Sequence, residues 1–218
     1  MELIDLSDDV IRQIMIVYIN NSKINQIKIK FIGSHKLNDI SDDINIEPPP
    51  LYHACRKFDT FNALLLINEK DTNSVNRNGY TSLILACIYK MSDVALKMLN
   101  FECRIKQINI DGYTALIWAC RNKMSAVALK ILNLKCDPSI VNKFGETALI
   151  WACENDMTDV ALRILDFDCS PEQVNKYGDS ALSCARKNEM AEVITKISRL
   201  RIMQSQTEQI ELYKYDLF

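Results

Sequence analysis

Short apolar blocks alternate along this chain with polar, turn-forming residues. In Leu83-Ile-Leu-Ala-Cys87, Leu83 and Ala86 lie three apart, on one side of a short helix. A second block, Val94-Ala-Leu-Lys-Met-Leu99, sets Val94 and Leu99 opposite them from a following helix. The second block recurs as Val127-Ala-Leu-Lys-Ile-Leu132 and Val160-Ala-Leu-Arg-Ile-Leu165. The pattern predicts a unit of two short helices, too small to bury its apolar side alone.

The turns carry the same period. Four of the five glycines are Gly79, Gly112, Gly145 and Gly178, and 112−79, 145−112 and 178−145 each equal 33. Around them run Val75-Asn-Arg-Asn-Gly-Tyr-Thr-Ser-Leu-Ile-Leu-Ala-Cys87 and Ile108-Asn-Ile-Asp-Gly-Tyr-Thr-Ala-Leu-Ile-Trp-Ala-Cys120. Val141-Asn-Lys-Phe-Gly-Glu-Thr-Ala-Leu-Ile-Trp-Ala-Cys153 follows, then a degraded copy from Val174 to Arg186. Glycine permits a tight turn, and the Asn three residues earlier can brace it with its side chain. Thr81, Thr114, Thr147 and Ser180 are placed to cap the first helix of each unit. Ser92, Ser125 and Thr158 are expected to cap the second.

A 33-residue period with a turn and two helices per unit resembles the ankyrin-repeat family. The family's D-x-x-G-x-T-P-L-H-x-A-A and V-x-x-L-L stretches correspond to the segments above. An imperfect earlier unit, Leu51-Tyr-His-Ala-Cys55 with Ala63-Leu-Leu-Leu-Ile67, lies 32 residues upstream. The resemblance implies an all-α ankyrin-repeat solenoid, with helix-turn-helix units and β-turn or hairpin tips. The array would run from 48 to 203 as about five units, with degenerate terminal ones. Where the family has His, which ties neighbouring repeats through hydrogen bonds, this chain has Ile84, Ile117 and Ile150, so a more hydrophobic cohesion is expected. The family's inter-helix glycine is Lys90, Lys123, Asp156 or Glu189 here.

Composition narrows the function. A net charge of −2 lacks the basic excess that nucleic acid demands. The N-terminus is acidic rather than signal-like, and Ile14-Met-Ile-Val-Tyr-Ile19 is too short to cross a bilayer. A cytoplasmic protein is expected. Cys87, Cys120 and Cys153 lie 33 apart, as do Cys103, Cys136 and Cys169. Stacked helices stand roughly 8–10 Å apart, beyond the about 7 Å of Cα separation a disulfide allows. No C-x₂₋₄-C pair suits zinc. Reduced, buried thiols are expected, which favour an intracellular setting.

Both ends depart from the repeat. Residues 1 to 47 hold a helix-like segment capped by Ser7, then the alternating Ile27-Lys-Ile-Lys-Phe31, then a linker from Ser34 to Pro50. They read as a non-repeat N-terminal cap. The alternative is an F-box-like module, because Leu6-Ser-Asp-Asp-Val-Ile-Arg-Gln-Ile14 resembles that family's L-P-D-D-x-L-x-x-I without its proline. That reading would make the chain a substrate adaptor for a host ubiquitin ligase. Ala191 to Met203 reads as a longer, more polar helix, and 204 to 218 as a C-terminal tail, folded back or mobile.

No catalytic motif is present. Gly33 is the one glycine outside the repeat turns, so neither a phosphate loop nor a dinucleotide fingerprint can be built. His35 and His53 have no motif around them. No enzyme activity, cofactor, metal or small-molecule substrate is expected. The family resemblance instead implies a protein partner on the concave face. Its tip residues would be Arg77, Asn78 and Tyr80; Ile110, Asp111 and Tyr113; Lys143, Phe144 and Glu146; Lys176, Tyr177 and Asp179. Its helix-end residues would be Ile88, Tyr89, Arg121, Asn122, Glu154, Asn155, Lys187 and Asn188. Tyr80, Tyr113, Phe144, Tyr177 and Tyr89 read either as hot-spot aromatics beside Arg and Lys or as packing against the next turn. Trp118 and Trp151 border the groove or pack in the core. The phrasing Thr-Ala-Leu-Ile-Trp-Ala-Cys, in an Asn-, Ile- and Lys-rich chain, is also similar to ankyrin proteins of giant DNA viruses of amoebae. It would imply a partner in host cytoplasm or nucleus.

Overall fold

The computed structural model describes residues 50–215, apart from 135 and 168. The expectations for residues 1–47, the cap and the F-box likeness, lie outside the described residues. Helix α1 (Pro50–Arg56) begins on the last proline of the expected linker, which suits a first helical position. It pairs with α2 (Thr60–Leu66). A single further turn, α3 (Glu69–Thr72), has no counterpart in the repeat pattern and is capped by Asn68, which accepts from the Asp71 N–H at 2.9 Å.

Four more pairs follow: α4 (Ser82–Ile88) with α5 (Ser92–Met98), α6 (Ala115–Arg121) with α7 (Ser125–Asn133), α8 (Ala148–Glu154) with α9 (Thr158–Ile164), and α10 (Ala181–Lys187) with α11 (Ala191–Tyr215). First helices pack on first helices and second on second, so the pairs stack as two layers around one core. Leu83, Leu116, Leu149, Val94, Val127 and Val160 are buried between them, and this is an all-α ankyrin-repeat solenoid. Helix α11 runs on to Tyr215, through most of the stretch read as a separate tail.

Local chemistry sets each unit. Asn76 Oδ1 accepts from the N–H groups of Asn78 and Tyr80 at 3.0 and 2.9 Å, and Asn109, Asn142 and Asn175 repeat the brace. The hydroxyls of Thr81, Thr114, Thr147 and Ser180 accept from the N–H three residues on, at 3.1 to 3.2 Å. The second helices differ from expectation. Their N-caps are Met91, Met124 and Met157, which make no side-chain cap, while Ser92, Ser125 and Thr158 are already helical.

The preceding helix end explains this. Lys90, Lys123, Asp156 and Glu189 take φ of +57°, +59°, +55° and +55°. Each left-handed residue lets the next N–H, from Met91, Met124, Met157 or Met190, reach back to Ala86, Ala119, Ala152 or Ala185 at 2.8 to 2.9 Å. That is a Schellman ending built without glycine. The following methionine is buried in the core, which anchors the chain just past the turn.

Cohesion between units is more polar than the Ile substitutions suggest. Asn122 Nδ2 donates to the carbonyls of Cys87 and Ile88, Asn155 to those of Cys120 and Arg121, and Asn188 to those of Cys153 and Glu154, all at 2.8 to 3.1 Å. These asparagines reach the end carbonyls of the previous first helix: those of Ile88, Arg121 and Glu154 have no other donor among the described residues, and those of Cys87, Cys120 and Cys153 also accept from their own turn. Lys97, Lys130 and Lys196 do the same for the second helices, reaching the carbonyls of Leu64, Leu96 and Leu162. The tips are joined through backbone: Ile110 N–H to Asn78 O, Lys143 N–H to Asp111 O and Lys176 N–H to Phe144 O, at 2.8 to 2.9 Å.

Candidate protein interface

The tip residues fall into three registers with different surroundings. Arg77, Ile110, Lys143 and Lys176 share the first and are all exposed. Asn78, Asp111, Phe144 and Tyr177 share the second, where Phe144 is 37% and Tyr177 75% exposed. Tyr80, Tyr113, Glu146 and Asp179 share the third. The four tip aromatics are therefore split between two registers, because Tyr80 and Tyr113 follow the glycine while Phe144 and Tyr177 precede it.

The third register corrects the reading of Tyr113 and Glu146 as exposed tips, since they are only 6% and 5% exposed. The Tyr113 ring stacks on Trp118 at 4.8 Å between centroids. Its hydroxyl donates to Glu146 Oε2 at 3.0 Å and accepts from Arg121 Nη1 at 3.0 Å. Glu146 Oε2 also accepts from Asn142 Nδ2 at 2.7 Å. Loss of solvent, reinforced by the Glu146 carboxylate, pushes the Tyr113 hydroxyl pKa up to about 12. It therefore stays a neutral donor at any ordinary pH. Tyr80 is half-buried.

At the ends of the first helices, Ile88 and Tyr89 are half-buried, and Tyr89 meets the Phe58 ring at 4.0 Å. Arg121 lies 4.9 Å from the centroid of Trp118 and 4.8 Å from that of Trp151. Glu154 pairs with Lys187 at 2.7 Å, and that hydrogen bond holds the Glu154 carboxyl below its usual range. Asn122, Asn155 and Asn188 are engaged with the previous helix's carbonyls, so their side-chain N–H groups serve the stack and not a visitor. Lys143 faces Asp111 at 3.8 Å, and Lys176 Nζ sits 5.0 Å from the Phe144 ring centre. The resulting surface joins exposed tip aromatics to an Arg121 held by two indoles. The i,i+3 spacing of Trp118 and Arg121 was a signal for half of that cluster. The other half, Trp151, comes from the next unit.

All eight cysteines are free thiols. Cys87 and Cys120 are fully buried, and burial pushes their thiols far up; Cys55 and Cys153 are raised to about 12 by the same cause. Among the described residues no group of three or more His, Cys, Asp or Glu is placed to hold a metal ion, and no helix is long and apolar enough to cross a membrane.

The family model described as ankyrin repeats (3 copies) matches residues 51–138 and again 124–200. The chain belongs to the ankyrin-repeat family. It is accordingly a protein–protein interaction module, a scaffold of stacked repeats. No curated protein matches it. Within the ankyrin pattern this array keeps the turn, the capping Thr and the paired helices. It closes four of its five first helices on a charged left-handed residue, the first ending instead at Phe58, and asparagines stitch successive repeats together.

Proposed function

We propose that this array holds a partner protein along its tips and first-helix ends, the surface that is concave in the family. The observation that carries this is the pair Phe144 and Tyr177, large rings left in solvent at successive tips beside Lys176. Exposed aromatics next to a cation are the usual makings of interface hot spots, and uncovered they invite aggregation. Arg77, Asn78, Ile110, Asp111 and Lys143 extend the same edge, with Tyr80, Tyr89, Arg121 and Glu154 behind it. The viral likeness of the repeat phrasing favours a partner from host cytoplasm or nucleus.

The test begins with a pull-down on the whole chain, read by mass spectrometry, to name the partner. Calorimetry then compares the wild type with Phe144→Ala plus Tyr177→Ala. The double variant should weaken binding by about 2 kcal/mol or more with the melting temperature unchanged. Binding that survives these changes yet disappears with Ile11→Asp plus Ile14→Asp would replace this reading with the ubiquitin-ligase adaptor.

A further inference from the structure

Charges on this face are mostly cancelled locally. Lys187 is matched by Glu154 and Lys143 by Asp111, at 2.7 and 3.8 Å. Arg121 is different: among the described residues it has no carboxylate partner, and the one hydrogen bond of its guanidinium is from Nη1 to the neutral Tyr113 hydroxyl. A guanidinium carries five N–H donors, so most of its fork is unused. Glu146 belongs to the same network but reaches Arg121 only through Tyr113, and its Oε2 already accepts from Tyr113 and Asn142.

The indoles explain why the fork is held ready. Trp118 and Trp151 come from neighbouring first helices, which stand roughly 8–10 Å apart. A guanidinium 4.9 Å from one ring centre and 4.8 Å from the other fills the gap between them. Cation–π contact on that scale fixes the group without consuming its N–H donors, which lie in the guanidinium plane. Arg121 is half-buried, so its rotamer entropy is already spent and its charge is poorly screened.

We infer that Arg121 anchors an acidic side chain, Asp or Glu, of the partner segment that docks on this face. The inference rests on the interface proposed above and names the chemistry of its occupant. A carboxylate fits better than a phosphoryl group, because the latter carries about −1.5 to −2 charge. At Arg121 a single positive charge is on offer, since Lys187 and Lys143 are paired with Glu154 and Asp111 and Lys176 lies against the Phe144 ring. Two N–H groups of the fork match the two oxygens of a carboxylate.

The chain has two tryptophans and both touch Arg121, so their indole N–H resonances report on this spot alone. A random linear peptide library displayed on phage is panned on the full chain, and the selected peptides are synthesised and titrated into ¹⁵N-labelled protein. The expected result is a shared Asp or Glu in the binders and shifts of both indole signals. Changing that residue to Asn or Gln in the peptide should weaken binding about tenfold or more. Arg121→Gln should do the same, with no further loss when the two changes are combined. The peptide substitution alters nothing in the protein, so the test holds even if Arg121→Gln fails to fold. Binders that shift the indoles but show no acidic preference would overturn the anchor and leave the interface standing. A phosphoserine peptide preferred over its glutamate counterpart would overturn the carboxylate assignment. Binders that leave the indoles unmoved and tolerate Phe144→Ala plus Tyr177→Ala, or a library that gives none, would overturn both.

Discussion

The tips at Gly112 and Gly178 are the same turn in different company. Both glycines are left-handed, at φ +83° and +86°, and both are braced by an asparagine. A Cβ on Gly112 would come within 2.9 Å of the Asn142 Cα in the next tip, whereas one on Gly178 would meet nothing within 4 Å. Gly79 and Gly145 resemble Gly112, with a neighbouring carbonyl oxygen at 2.5 and 2.9 Å. In a stacked array, a central residue answers to its own unit and to the next one, and a last-tip residue to its own only. The same contrast runs through the side chains of one register: Tyr113 is buried and hydrogen-bonded to the Glu146 of the following tip, while Asp179, with no further tip among the described residues, is exposed.

Alkali should expose the contrast most strongly, because several buried thiols titrate together. Their pKa values are raised on folding. The stability they contribute is therefore complete below the unfolded value, about 8.5, and is lost as pH rises through the folded values. For Cys184 and Cys136 the folded value is about 11, raised first by burial, while Cys120 lies higher still. Pulsed alkylation between those limits, read by mass spectrometry, should label Cys184 before Cys120. Equal labelling would mean that the last unit is held as tightly as the centre.

Core truncation comes next. Leu116→Ala is expected to cost about 2–5 kcal/mol, and Leu182→Ala in the last unit less, since that side has fewer atoms to lose contact with. Denaturant midpoints with unchanged m values check this, and Lys143→Ala should scarcely move them. Gly112→Ala should then cost about 2 kcal/mol or more, from left-handed strain plus the clash, against about 1 kcal/mol for Gly178→Ala from strain alone. Matching costs would show that the central tips part easily.

Asn155→Ala removes two inter-repeat hydrogen bonds at once and should cost about 1–3 kcal/mol, since it strands the Arg121 carbonyl and leaves that of Cys120 with only the Lys123 N–H and its own turn. A negligible loss by thermal melting would return cohesion to the hydrophobic contacts alone. The smallest effect is a gain. Lys123→Gly relieves a left-handed lysine at φ +59° and should raise stability by about 0.5–1 kcal/mol, offset in part by unfolded-chain entropy.

Much of the fold is legible because its determinants are local. Gly79, Asn76 and Thr81 act within six residues of one another, and each can be recognised by type and spacing alone. The candidate interface is less legible. Phe144 and Tyr177 are exposed and Tyr113 is not, although all three are aromatic tip residues. Lys90 and its counterparts stand where the family has its inter-helix glycine, but that they keep the glycine's left-handed backbone carries no mark in their own identity.

From the chain of residues alone follow the 33-residue unit, its turn, its first-helix caps and the apolar stripe that makes stacking obligatory. Those features depend on backbone preferences and on contacts a few residues away. The tertiary structure decides what happens at 33 residues' distance: that Glu146 buries Tyr113, that Trp151 closes on Arg121, and that Asn155 rather than an isoleucine ties its unit to the one before. Stacking brings those pairs within reach of one another, and the energy of a polar or charged side chain is set by which partner stacking supplies.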